Sequence, residues 1–381
     1  MMKKIIYFLL ILVLIIVSCS RKEGDLSETF SDGIPGESSD NGNGQIEPGQ
    51  ITAGEWNDLL NWDFWNNLFQ NQEYSLIPQY WSFDLNNRVS VNLKNKNSLV
   101  LPNIKVKLLN SQNEVLWESI TDNFGNAELW PNLKKKDSEL KIQIGNKIYN
   151  EIVYFKDGVN NIVYDTSAVV AKKLDLAFVV DATGSMGDEL EYLKVELVDI
   201  INRVKSDNPN IVINLGSVFY RDEQDDYVTK KSGFSQDIDE TIDFIKEQSA
   251  DGGGDYPEAV HTALDVSIND LQWLTTSTTK IIFLILDAPP HYDTQILSDI
   301  HNLIYTASKK GIKIIPVTAS GIDKKTEFLM RYFAIATNGT YVFITNDSGI
   351  GNEHIEPTVG EYEVEYLNDL IVRLINKYVE F

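Results

Sequence analysis

Basic residues, cysteine, ligand-spaced histidine and long apolar runs are all scarce in this chain of 381 residues, and each scarcity closes off a class of function. Lys and Arg number 33 against 56 Asp and Glu, a formal net charge of −23. A field of that sign repels phosphate backbones and excludes a nucleic-acid binder that relies on its overall charge. The one cysteine, Cys19, leaves no internal disulfide and no thiolate metal site. The histidines, His261, His291, His301 and His354, lack ligand spacing and read as helix-surface or loop residues. His291 alone stands at a strand end, where it could line a site. The glycines 252–254 neither follow the first strand of their region nor bring a lysine, so no dinucleotide or phosphate loop is supported. The apolar run over residues 5–17 is short for a membrane-spanning helix. What is present, 43% apolar and 10% aromatic residues, suffices for real cores in about two to three domains.

Lys3 and Lys4 precede that apolar run, and Ser18-Cys19 follow it, the pattern of a secretion signal. Ile16-Val17-Ser18-Cys19 resembles a bacterial lipobox, which implies cleavage before Cys19, acylation of its new terminus, and a leader over 1–18. The alternative is an uncleaved signal anchor with an incidental cysteine. The stretch 19–50 is rich in Gly, Ser, Pro, Asp and Glu and reads as a flexible acidic tether. With so negative a chain, attachment to a bilayer would depend on the acyl group and not on a basic patch.

Four of the seven tryptophans fall in the segment 51–83, between Trp56 and Trp81. Leu59, Leu60, Phe64, Trp65 and Leu68 have near-helical spacing, which predicts a short amphipathic helix. The rings either form an exposed strip for glycans or a partner, or cap the hydrophobic edge of the domain that follows; the second is favoured because clustered aromatics are mostly core. Over 84–168, seven short runs alternate with period two between Asn, Asp and Gly turns, which predicts a small antiparallel sandwich. The piece from Val106 to Trp130 resembles the carboxypeptidase-regulatory type of immunoglobulin-like domain, implying a spacer or adhesion module without catalytic residues.

From residue 173 to the end, strand-like runs at 174–181, 211–220, 280–287 and 311–317 alternate with amphipathic helices. A weaker strand near 226–233, a closing strand at 341–344 and a final helix over 361–378 complete the pattern. The fold class expected is α/β, a doubly wound and mostly parallel sheet preceded by a small all-β sandwich, and its ligand sites belong at the carboxyl ends of the strands. Three segments there carry oxygen donors. Asp181, Thr183 and Ser185 follow the first strand in a tight loop that Gly184 permits, Asp287 ends a neighbouring strand, and 251–258 has three glycines with Asp255 beyond them. Such a set can wrap one hard cation. Gly254, Glu258 and His291 could line it.

The combination of D-A-T-G-S-M, G-G-G-D-Y-P-E and D-A-P-P-H resembles a von Willebrand factor type A domain with a metal-ion-dependent adhesion site, over about 173–381. That resemblance implies magnesium, with calcium or manganese as possible substitutes, held by Asp181, Thr183, Ser185 and Asp287, with Asp255 where the family has a loop threonine. It also implies a protein partner, possibly one whose acidic residue completes the metal shell. Asp255 departs from the pattern: a third aspartate near the ion would bind it more tightly but weaken its pull on a partner carboxylate. Asp255 could instead turn away and leave that position to water. The reading is therefore a non-enzymatic envelope lipoprotein, on the outer membrane or cell surface, that binds a partner through a metal. The alternative is a structural or assembly component that the metal only stiffens. A hydrolase is disfavoured, since Thr183 replaces the first glycine of a nucleophile elbow around Ser185, and its one candidate base, Glu258, could simply start a helix. The acidic turn 221–226 either fixes a second cation or is a solvated hairpin tip.

Overall fold

A computed structural model describes residues 46–83, 85, 87–131, 139–167, 172–277 and 279–380. The leader, Cys19 and the tether as far as residue 45 lie outside the described residues. The rest of the tether is pinned: the backbone amides of Gly49 and Gln50 donate to buried Glu196 at 2.9 Å, and that of Ile51 at 3.3 Å.

The chain first forms β1 (Thr52–Trp56) and the short helices α1 (Trp62–Leu68) and α2 (Ile77–Tyr80). Seven strands follow: β2 (Val89–Lys94), β3 (Lys105–Leu109), β4 (Val115–Ile120), β5 (Asn126–Leu129), β6 (Lys141–Ile144), β7 (Lys147–Tyr149) and β8 (Asn160–Val163). They make two small sheets, β5-β2-β8 and β4-β3-β6-β7, around Val89, Val91, Val106, Leu108, Ile142 and Ile144. All pairings are antiparallel as expected except β2 with β8, which is parallel. β4 lies on the α/β domain, where Trp117 donates to Ser308 at 3.0 Å and Glu118 pairs with Lys309 at 3.0 Å.

The α/β domain runs β9 (Lys173–Asp181), α3 (Gly187–Asp207), β10 (Val212–Tyr220), β11 (Thr229–Ser235), α4 (Ile238–Lys246), α5 (Val260–Asp265), β12 (Thr279–Leu286), α6 (Thr294–Lys310), β13 (Ile312–Thr318), α7 (Lys324–Ala336), β14 (Tyr341–Ile344), β15 (Val364–Tyr366) and α8 (Leu367–Val379). β9 and β12 are buried almost throughout, as strands covered by helices on both faces must be. Helix limits follow local chemistry. Asp293 caps α6 by accepting from the amides of Gln295 and Ile296, and Gly311 ends it in the left-handed region that a side chain would disfavour.

The sheet order is β11-β10-β9-β12-β13-β14-β1-β15. The expected boundary at residue 173 therefore needs correction, because β1 lies antiparallel between β14 and β15, within the same sheet. Its sequence, TAGEW, carries no alternating apolar pattern, and Gly54 is needed because the rings of Phe343 and Tyr362 cross its backbone. The tryptophans pack on this domain as well as on the sandwich: Trp65 lies 5.7 Å from Phe328, and Trp62 lies 5.7 Å from Trp130. Beneath them Asp58 binds buried Arg331 through two bonds of 2.6 and 2.9 Å. The final helix begins at Leu367, later than expected, since 364–366 pair with β1.

Candidate metal centre

The strand order reverses between β9 and β12. The chain leaves β9 toward β10 on one side and returns to β12 on the other, so the connections diverge and leave a crevice at the strand tips. Asp181 is the last residue of β9 and Asp287 the first beyond β12, both buried.

The loop after β9 folds back on Asp181. One carboxylate oxygen accepts from the Thr183 amide at 2.9 Å and from its hydroxyl at 2.7 Å. The Thr183 and Ser185 hydroxyls are 3.1 Å apart, and that of Ser185 lies against Asp287. Thr183 is buried and Ser185 exposed, so the hydroxyl pair leads from the interior to the surface.

The glycine loop is stitched to this turn by Gly184 N to Gly252 O at 3.1 Å and Asp251 N to Ala182 O at 3.0 Å. Gly252 and Gly253 have φ of 76° and 70°, where a side chain is strained. Space forbids one as well. A Cβ on Gly252 would overlap the Asp225 carboxylate, and one on Gly253 would come within 3.0 Å of Glu258 and 3.3 Å of Thr183.

The electrostatics are those of an acid cluster short of positive charge. Asp181 keeps one buried oxygen without a hydrogen-bonding partner, and so do Asp287, Glu258 and Glu189. Burial raises the Asp181 and Asp287 carboxyls above the ordinary aspartate range; the Asp222 charge adds to the first and the Asp181 charge to the second, while the Thr183 bonds hold Asp181 down. Glu258 is pushed to about 9 by burial first and then by Asp181, Asp222, Asp287 and Asp225. Burial, and then the Asp181 charge, push the Tyr220 phenol well above its usual value.

These residues fit a hard divalent cation: every donor is oxygen, and buried carboxylate oxygens lack a hydrogen-bond donor. Among the described residues no three acidic, His or Cys side chains form a metal-holding group by themselves. A cation at the strand tips would have to draw on the hydroxyls of Thr183 and Ser185 as well.

Asp181, Thr183, Ser185 and Asp287 come together as the sequence suggested. Asp255 does not join them: it is exposed on the loop, as is Gly254. The acid that reaches the cluster from this segment is Glu258, buried, with its amide donating to Pro289 O at 2.9 Å. It precedes α5, which begins at Val260. His291 lies in the crevice wall and bonds Asp222 at 2.6 Å.

Sequence reasoning missed Asp225, which is no solvated hairpin tip: it receives the amides of Gly253 at 2.8 Å and Asp222 at 3.0 Å. It also missed Glu189, bound to the Ser320 amide and to His354, each at 3.1 Å. A signal for Glu189 existed. With Leu193, Glu196 and Ile200 it lies on the buried stripe of α3, where an acid is costly unless it is bonded.

Residues 175–349 match the family model described as the von Willebrand factor A domain. A stretch of 128 residues is 42% identical to an ariadne-like RING finger protein of Acanthamoeba polyphaga mimivirus, covering 34% of this chain and 12% of that protein. Another match is 33% identical over 121 residues to the alpha-protein kinase vwkA of Dictyostelium discoideum, covering 31% of this chain and 19% of the kinase. The chain thus spans only a small part of either relative. Among solved structures, the conserved hypothetical protein BatB from Bacteroides thetaiotaomicron aligns with 54% of this chain and 98% of its own, at 14% identity and a TM-score of 0.37. The region from 175 to 349 is a von Willebrand factor A domain, a module that commonly mediates protein–protein interaction.

Proposed function

We propose that this protein is an envelope lipoprotein, anchored through acylated Cys19, whose von Willebrand factor A domain holds a divalent cation and uses it to bind another protein. Magnesium is the ion put forward, with calcium and manganese as competitors. The observation that carries the reading is the set of buried carboxylate oxygens without donors on Asp181 and Asp287, beside the hydroxyls of Thr183 and Ser185. Asp181 would hold and orient Thr183 as it does now, Ser185 would present its oxygen at the surface, and Asp287 would balance charge from the next strand. The ion would supply a Lewis-acidic attachment point for an oxygen of the partner.

In-cell crosslinking tests this. A crosslinked product that both chelation and Asp181→Ala abolish is expected, while one that survives both would leave the metal a stiffening role in a structural component. Loss of radiolabelled palmitate incorporation in Cys19→Ser is the expected sign of the anchor. No catalytic role is assigned. Ser185 bonds Thr183, and the imidazoles of His291 and His354 are bound to Asp222 and Glu189.

A further inference from the structure

Two tyrosine rings flank the crevice, each pinned by its hydroxyl and yet open to solvent. Tyr256, 45% exposed, lies between the glycine loop and Glu258 and donates to Gly321 O at 3.0 Å. Tyr292, 49% exposed, directly follows His291 and donates to Tyr80 O at 2.9 Å, with its ring stacked on Tyr80 at 4.3 Å between centroids. A phenol tied to a backbone carbonyl offers its ring face at little further cost in side-chain entropy. Asp323 stands near both groups: burial and then its charge raise the Tyr256 phenol, and burial, Tyr292 and then Asp323 raise that of Tyr80.

Charge around the rings is one-sided. Asp255 precedes Tyr256, Asp293 follows Tyr292 and Asp323 caps α7, and all three are exposed. Against them stands exposed Lys325, whose ammonium lies 4.2 Å from the Tyr80 ring centroid. Lys324 is taken up by Glu327 at 3.0 Å. Arg221 is buried, donates to Ala182 O at 3.1 Å and Ser249 O at 2.9 Å, and pairs loosely with Asp251 at 3.9 Å, so its charge offsets the acids inside the crevice and not those of the tyrosine rim.

We propose that Tyr256 and Tyr292 form a rim that receives arginine or lysine side chains, so that the protein bound at the crevice presents a basic segment to it. This deepens the reading above and rests on its partner-binding half. A guanidinium or ammonium over an exposed ring is attracted by the ring's negative face, and the neighbouring carboxylates add to that attraction. Lys325 over Tyr80 is the same contact made within the chain. An acidic segment would instead be repelled by Asp255, Asp293 and Asp323.

A fluorescent peptide of alternating arginine and glycine, with a glutamate counterpart of the same length, tests the proposal by anisotropy on the full-length protein at about 0.15 M salt, where distant charges are screened. Saturable binding of the arginine peptide and none of the glutamate peptide is expected. Tyr256→Leu and Tyr292→Leu leave the net charge unchanged and are each expected to weaken binding about two- to fivefold, whereas Tyr256→Phe and Tyr292→Phe stay within about twofold of the wild type. A wild type that does not bind the arginine peptide overturns the proposal. So does binding that both folded leucine variants retain in full, the mark of attraction to the chain's overall charge, or binding that phenylalanine loses as fully as leucine. Magnesium titration of the same samples separates the two readings: cation uptake without peptide binding removes the basic rim alone, and peptide binding without cation uptake removes the metal alone.

Discussion

Asp181 and Asp287 stand at the tips of adjacent parallel strands, and each keeps one buried carboxylate oxygen without a hydrogen bond, with the Tyr220 hydroxyl near that of Asp181. A buried polar atom left unpaired costs about 1–3 kcal/mol, and more when it carries charge. Two such atoms on neighbouring strand tips, with a third on Glu258, make an electrostatic cost that the proposed cation would relieve. The local architecture serves that arrangement: a switch in strand order opens the crevice, and glycines at 252 and 253 let the third segment close on it.

Asp287→Asn removes one of the two charges while preserving shape. The metal-free variant is expected to be as stable as the wild type or more so, and the stabilisation by magnesium is expected to vanish. In the wild type, ion at 100 times its Kd adds about 2.7 kcal/mol. Thermal unfolding with magnesium and with chelator measures both effects, and an undiminished magnesium effect in the variant would count against the site.

The three carboxyls also set a pH dependence. Their values are raised relative to the unfolded chain, Glu258 to about 9, so the folded metal-free protein retains protons that the unfolded chain gives up. Its stability from these groups is full below about pH 4 and is lost as pH rises through the folded values. Cation binding requires the ionised forms. The gain in Tm from magnesium is therefore expected to be larger near pH 8 than near pH 5.5, and equal gains would contradict this.

Gly253→Ala places a side chain at φ 70°, against Glu258 and Thr183. A loss of about 1 kcal/mol or more in stability is expected, with weaker metal binding. Gly233, which meets nothing within 4 Å, is the control: its alanine variant is expected to leave metal binding unchanged. Denaturant unfolding and metal titration of the two variants make the comparison.

The segment before the sandwich is part of the α/β fold. Asp58→Ala leaves the Arg331 guanidinium buried with only Glu327 as an acidic partner, at 3.5 Å, and is expected to cost about 3–5 kcal/mol. A fragment beginning at residue 172 lacks β1, the strand that joins β14 to β15, and is expected to unfold without cooperativity or to aggregate. A sharp unfolding transition in that fragment would refute the shared sheet.

The buried parallel strands were legible because LDLAFVVD and KIIFLIL have no polar face, and the alternation with amphipathic helices gave the sheet type. The grouping of Asp181, Thr183, Ser185 and Asp287 at the strand tips was legible because the first three sit within one turn and Asp287 ends a strand. β1 was not, since five residues containing Ala and Gly carry too little pattern, and its neighbours lie almost 300 residues away in sequence. Glu258 was not either. Its place among the Asp181, Asp222 and Asp287 charges comes from the path of the glycine loop and the Pro289 bond, which spacing along the chain does not encode, and Asp255, nearer the glycines, drew the assignment instead.

Isothermal titration of magnesium, and then calcium, into the wild type and into Asp181→Ala and Asp287→Ala addresses the metal centre most directly. Saturable binding of one ion per chain, lost in both variants while their folds persist, is the expected result. A folded wild-type protein that takes up neither ion would contradict it and leave the crevice as an acid cluster inherited with the fold.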